Sequence, residues 1–178
     1  ALTDGAEIAA LLGRVRPDWV FHLAVHGAYS TQTALDVMVQ TNVVGTMNLV
    51  QAALAHGVEA FVNTGSSSEY GFKDHAPAET DWLEPNSHYA VTKASATLFC
   101  RYTGQSQGAP LRPLRLYSVY GPWEEPSRLV PTLIVRGLRG DLPRLARPEI
   151  ARDYVHVDDV SEAYVLAATR PGQAPGAV

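Results

Sequence analysis

The chain has 178 residues, 46% hydrophobic and 18% charged, with a formal net charge of −4, a balance that fits a soluble globular unit. It has no basic run to neutralise phosphates and no apolar stretch near the roughly 20 residues of a membrane-spanning helix, which argues against nucleic-acid and membrane partners. The single cysteine, Cys100, excludes an internal disulfide; next to Leu98 and Phe99 it reads as an inert buried hydrophobe, and a cytoplasmic location fits.

In chain order, the pattern predicts a helix over about 4–16, closed by Pro17, and a strand over 18–24. A long helix over 33–56 follows, with Val43, Met47, Val50 and Leu54 at helical spacing and Gly57 as its stop. Next come a buried strand over 60–66, a helix over 87–107, a strand over 112–118, a helix over 127–139, a strand over 152–157 and a helix over 158–170, with Asp158 as its N-cap. Strands alternating with helices predict an α/β fold in which a parallel sheet is covered on both faces. Loops 71–86 and 119–127, rich in Pro, Glu and Gly, are long enough to serve as lids. Pro175-Gly176-Ala177-Val178 reads as the approach to a further strand.

Two motifs carry chemistry. In Ser87-His88-Tyr89-Ala90-Val91-Thr92-Lys93, one helical turn sets a phenol and an ammonium on a single face. A free phenol titrates near pH ~10, so it exchanges protons at neutral pH only when a nearby cation stabilises the phenolate, and Lys93 can be that cation. Upstream, Ala60–Thr64 runs into Gly65-Ser66-Ser67-Ser68-Glu69-Tyr70-Gly71. The carboxyl edge of a parallel sheet is where ligands bind, and a serine there can hydrogen-bond the oxygen that a tyrosine protonates.

With these motifs in order, the chain resembles the extended short-chain dehydrogenase/reductases of the NAD-dependent epimerase/dehydratase family that act on nucleotide sugars. Val20-Phe21-His22-Leu23-Ala24 looks like the family's fourth strand, and Asn42-Val43-Val44-Gly45-Thr46 like the start of its next helix. Ser66, four residues before Tyr70-Gly71, holds the place of the catalytic Ser or Thr, and Tyr89 and Lys93 match the YxxxK pair. Arg115–Pro122 resembles the segment that covers the nicotinamide, and Arg152–Val160 the diphosphate-binding arginine with the helix start after it.

The resemblance implies a Rossmann-like doubly wound parallel sheet, with segments of about 71–86 and 119–150 on the substrate-binding side. It implies Ser66, Tyr89 and Lys93 as catalytic residues. NAD or NADP would be held by His22, Leu23, Ala24, Asn42, Ser66, Tyr89, Lys93, Tyr117 and Val119. A nucleotide sugar would lie against Ser67, Ser68, Ser118, Arg128 and Arg152. Ser118 stands where many epimerases have Asn. Arg152 could instead pair with Asp153 or Asp159, but a planar guanidinium suits a diphosphate. Asn42 is either a helix N-cap or a support for the proton relay. His22 and His26 are four apart with no third ligand in view, so no metal is expected. Glu79, Glu84, Glu124 and Glu125 read as solvated loop charges. Leu98, Phe99 and Tyr102 are apolar contacts either for a two-fold dimer of the full-length protein or for the core.

The family begins with a strand and a glycine-rich turn, GxxGxxG, which this chain lacks; Gly137-Leu138-Arg139-Gly140 has the wrong spacing. The chain therefore reads as an internal portion of one dinucleotide-binding domain of a longer enzyme, lacking its first strands. In 4,6-dehydratases the catalytic Thr is followed by an acid pair or Ser-Glu. Here Ser67 and Ser68 follow, and Glu69 lies one position too late, which in an extended segment turns it to the opposite side. The expected activity is 4-epimerisation or 4-keto reduction of a nucleotide-linked hexose. A 4,6-dehydratase is the alternative within the family, and a catalytically silent binding module is the alternative outside it.

Overall fold

The computed structural model describes residues 1–147 and 150–170, so the expected strand approach at 175–178 lies outside the described residues. Two compact units divide it: Ala1–Leu116 with the stretch from Tyr164 onward, and Tyr117–Ala163.

In the first unit, α1 (Gly5–Val15) begins where the Asp4 carboxylate accepts the Glu7 N–H at 2.9 Å, and ends on Arg16 in the left-handed region. Strand β1 (Trp19–His22) follows, shorter than expected, leaving Leu23 and Ala24 just past its end. The predicted 33–56 helix is not regular. It runs as α2 (Leu35–Met38), a π-helical stretch over Val39–Val44 and α3 (Gly45–Ala55). Strand β2 (Ala60–Ser66) leads into a 3₁₀ turn over Ser67–Tyr70. Helix α4 (His88–Gln107) starts at Ser87, whose Oγ accepts the Ala90 N–H at 3.1 Å, and closes at Gly108 with φ 62°. Strand β3 (Leu111–Leu116) completes a parallel sheet of order β1-β2-β3, with Trp19 opposite Ala60 and Phe61 opposite Leu111.

Strand β2 is central and covered on both faces, hence its continuous apolar start. Residues alternate between faces. Phe61 packs with Ile8 and Leu12 of α1, Val50 and Ala53 of α3, and Cys100 of α4. From the other face the Thr64 hydroxyl meets the Tyr164 hydroxyl, and the Tyr164 ring lies 6.0 Å from that of Phe21. Helices thus cover both faces, the doubly wound arrangement expected. Cys100 is buried as expected, and burial pushes its thiol up to about 12.

The second unit holds β4 (Ser118–Tyr120), α5 (Leu129–Leu138), β5 (Tyr154–His156) and the start of α6 (Val157–Thr169). The predicted strand 112–118 is therefore two strands in two sheets: β3 stops at Leu116, and β4 pairs in parallel with β5, Ser118 opposite Tyr154. Asp158 lies inside the first turn of α6 rather than capping it, with its carboxylate 3.5 Å from His156 Nδ1. Among the described residues, no helix is long and apolar enough to cross a membrane.

Candidate active site

The carboxyl end of β2 is shaped by one carboxylate. Glu69 is fully buried; its Oε1 accepts the Ser66 N–H at 2.8 Å and the Thr97 hydroxyl at 3.0 Å, and its Oε2 accepts Arg115 Nε at 3.1 Å. Burial pushes this carboxyl above the usual range, opposed by the Ser66 and Thr97 hydrogen bonds and by the charges of Arg115 and Lys93. Ser66 and Glu69 form a reciprocal capping box that winds residues 67–70 into the 3₁₀ turn. This corrects the extended reading of the segment: Glu69 is not turned outward by a register shift but drawn inward as a cap.

Two glycines admit the turn. A Cβ on Gly65 would lie 2.8 Å from Glu69 Oε1, and one on Gly71, at φ 73°, would lie 1.9 Å from the Glu84 carbonyl oxygen. The Ser66 and Ser68 hydroxyls share a 2.7 Å hydrogen bond. Ser67 and Ser68 thus place hydroxyls after Ser66, and the nearby acid, Glu69, is already committed.

Tyr89 and Lys93 occupy adjacent turns of α4 on one face. Tyr89 is half-buried, whereas Lys93 is only 4% exposed, and burial holds its ammonium below the ordinary lysine range against the pull of Glu69. The start of α4 is tied to the π-helical stretch by Asn42, which is no N-cap. Its Oδ1 accepts the His26 N–H at 2.8 Å, while its Nδ2 donates to the His26 carbonyl at 2.8 Å and to Thr92 Oγ1 at 2.9 Å. Thr92 in turn donates to the Tyr89 carbonyl at 2.8 Å. π-Helical stretches inside α-helices are rare and recur at functional sites.

His22 is buried, with Nε2 2.9 Å from Thr46 Oγ1. Because that hydroxyl donates to the Asn42 carbonyl at 2.7 Å, His22 Nε2 must be the donor and carries a proton. Burial, then the Lys93 charge, lowers this imidazole to about 4. Opposite His22 in the register, Asn63 buries both amide atoms without a protein partner.

In the second unit, Tyr117, Ser118 and Val119 are half-buried at β4. Arg128 lies 3.5 Å from Glu124, whose other carboxylate oxygen is buried. Arg152 is exposed and, among the described residues, pairs with neither Asp153 nor Asp159. Of the loop glutamates, Glu79, Glu84 and Glu125 are exposed as expected, Glu84 pairing with Lys73, whereas Glu124 is largely covered.

Sequence reading missed Arg115, Thr97 and Thr92 as the scaffold of this site. One signal was present, the Ser66-x-x-Glu69 capping spacing.

The sequence matches the NAD dependent epimerase/dehydratase family over residues 1–178, and the chain belongs to that family. It is 37% identical over 159 residues to a dTDP-glucose 4,6-dehydratase of Streptomyces griseus, covering 86% of this chain and 48% of the relative. Among solved structures, it resembles a dTDP-glucose 4,6-dehydratase of Streptomyces venezuelae with NAD bound, at 30% identity and TM-score 0.82, over 99% of this chain and 54% of that one. It also resembles a UDP-glucose 4-epimerase of Thermotoga maritima with UDP-glucose, at 27% identity and TM-score 0.83, over 94% of this chain and 57% of that one. The chain thus spans about half the length of these relatives.

Proposed function

We propose that the protein containing this chain is an NAD- or NADP-dependent enzyme that acts at C4 of a nucleotide-linked hexose, as a 4-epimerase or 4-ketoreductase. The observation that carries the reading is Ser66 fixed at the carboxyl end of the central strand, together with Tyr89 and the buried Lys93 on one face of α4. Lys93 is proposed to hold the nicotinamide ribose of the dinucleotide, and His22, Leu23, Ala24, Asn42, Tyr117 and Val119 are proposed as its further contacts. A glycine turn for the diphosphate does not occur between Ala1 and Val178.

When bound, the dinucleotide accepts or returns the C4 hydride. Tyr89 takes or gives the proton of the C4 hydroxyl. Lys93 stabilises the phenolate, and Ser66 donates a hydrogen bond to the reacting oxygen. Ser67, Ser68, Ser118, Arg128 and Arg152 are proposed to contact the nucleotide sugar.

Dehydration is the second reading, favoured by the names of the relatives and opposed by the commitment of Glu69 to Ser66, Thr97 and Arg115. The test is to incubate the intact protein and cofactor with dTDP-glucose and with UDP-glucose, and to identify products by NMR. The C4 epimer is expected, or reduction of a supplied 4-keto sugar. A 4-keto-6-deoxy product from dTDP-glucose overturns this reading in favour of dehydration, and the absence of all three favours a binding module.

A further inference from the structure

Glu69 takes no part in the chemistry proposed above, yet it is buried directly beside Ser66 and held from three elements. It is fully buried and accepts from three donors on three elements: the Ser66 N–H at 2.8 Å, the Thr97 hydroxyl of α4 at 3.0 Å and Arg115 Nε of β3 at 3.1 Å. The partner charge cannot easily withdraw. Arg115 is itself held by the Tyr70 hydroxyl at 2.7 Å and the Glu79 carbonyl at 3.1 Å, with its guanidinium 4.8 Å from the centroid of the Tyr70 ring. Gly65 is the residue that leaves room, since any Cβ there would meet the carboxylate at 2.8 Å.

A buried ion pair of this kind is weak evidence of stabilisation, because the desolvation of both charges offsets much of their attraction. Its geometric effect is on the backbone of Ser66, whose Oγ lies 2.7 Å from Ser68 Oγ.

We infer that Glu69 is a positioning residue for Ser66, held in place by Arg115 and Thr97, so that the serine hydroxyl meets the reacting oxygen in a preformed orientation. This rests on the reading of Ser66 given above. Misplacing a donor by a fraction of an ångström weakens transition-state stabilisation more than binding, so the effect belongs in kcat.

The test is a double-mutant cycle in the intact protein with its cofactor, using whichever of dTDP-glucose, UDP-glucose or the 4-keto sugar is turned over. Glu69→Ala is expected to lower kcat by about 10²-fold with KM changed less than about threefold, and Glu69→Gln, whose carboxamide oxygen still accepts from Ser66 and Thr97, to recover most of the loss. In a Ser66→Ala background, Glu69→Ala should cost less than about twofold more. A Ser66→Ala enzyme with near wild-type turnover removes the role of Ser66 itself. Independent, multiplying losses overturn the positioning role while leaving Ser66 in place. A second measurement needs neither variant nor turnover: in the wild-type protein the Ser66 amide must be among those protected from hydrogen exchange, and exchange at the rate of an open loop overturns the inference.

Discussion

At the residue scale, Tyr89 is the side chain on which the proposed chemistry turns, and Tyr89→Phe removes its proton while keeping the ring. Turnover is expected to fall by about 10² to 10⁴ with the fold unchanged, as for loss of a positioned acid/base. Steady-state kinetics at saturating substrate check it, and near wild-type turnover removes Tyr89 from the role. His22 gives a prediction about stability. Its buried ring donates from Nε2 to Thr46, and burial with the Lys93 charge puts its folded-state value at about 4, below the ordinary 6.5. Between those values the unfolded chain binds more protons, so this contribution is fully present above pH 6.5 and is lost as pH falls through about 4. At about 1.4 kcal/mol per tenfold change in proton affinity, it amounts to about 3 kcal/mol. Urea melts from pH 7 to pH 4 should show this loss, and His22→Gln should reduce the slope; an unchanged slope refutes the assignment. The types of these residues were legible in the sequence, because YxxxK and the Ser-rich turn are local. Their supports were not: the Glu69–Arg115 contact joins residues far apart in the chain, a distance that periodicity does not register.

At the element scale, hydrophobic period found the helices and lost their irregularities. Val50 is buried as expected, but Asn42 of the π-helical stretch and Gly45 and Thr46 of α3 are buried too, and an apolar pattern is blind to buried polar and small residues. Residues 112–118 read as one strand, and only the pairing of β4 with β5 shows the change of sheet at Tyr117. Helix α4 also divides the three residues read together as apolar contacts. Phe99 packs against the core, while Leu98 is 51% and Tyr102 72% exposed. A two-fold dimer through this face is therefore still a proposal, with Leu98 and Tyr102 as its contacts. Leu98→Glu with Tyr102→Glu should shift the intact protein from dimer to monomer in sedimentation without lowering its melting temperature. A concentration-independent monomer mass in the wild type eliminates the dimer.

At the scale of the whole molecule, the sheet order leaves β1 as an edge strand among the described residues, with Trp19 41% and Phe21 39% exposed. Such an edge favours self-association, and a polypeptide limited to residues 1–178 is expected to aggregate or fold incompletely. The same limit bears on the cofactor. Of the residues proposed for the nicotinamide end, His22, Leu23, Ala24 and Ser66 lie at the carboxyl ends of β1 and β2, but a dinucleotide's diphosphate is held by backbone amides at a helix N-terminus behind a glycine turn, and its adenosine ribose by an acidic side chain after the second strand. No glycine turn of that spacing occurs between Ala1 and Val178. Association carries an ordering cost of several kcal/mol, about 4 or more, which half of a site rarely offsets. Residues 1–178 expressed alone should therefore show no measurable binding when titrated with NADH or NADPH and followed by fluorescence or heat, while the same titration of a protein that also supplies a glycine turn should saturate. Micromolar binding by residues 1–178 alone would show that they hold the dinucleotide without such a turn, and the assignment of the cofactor to the carboxyl edge of β1 and β2 would have to be abandoned.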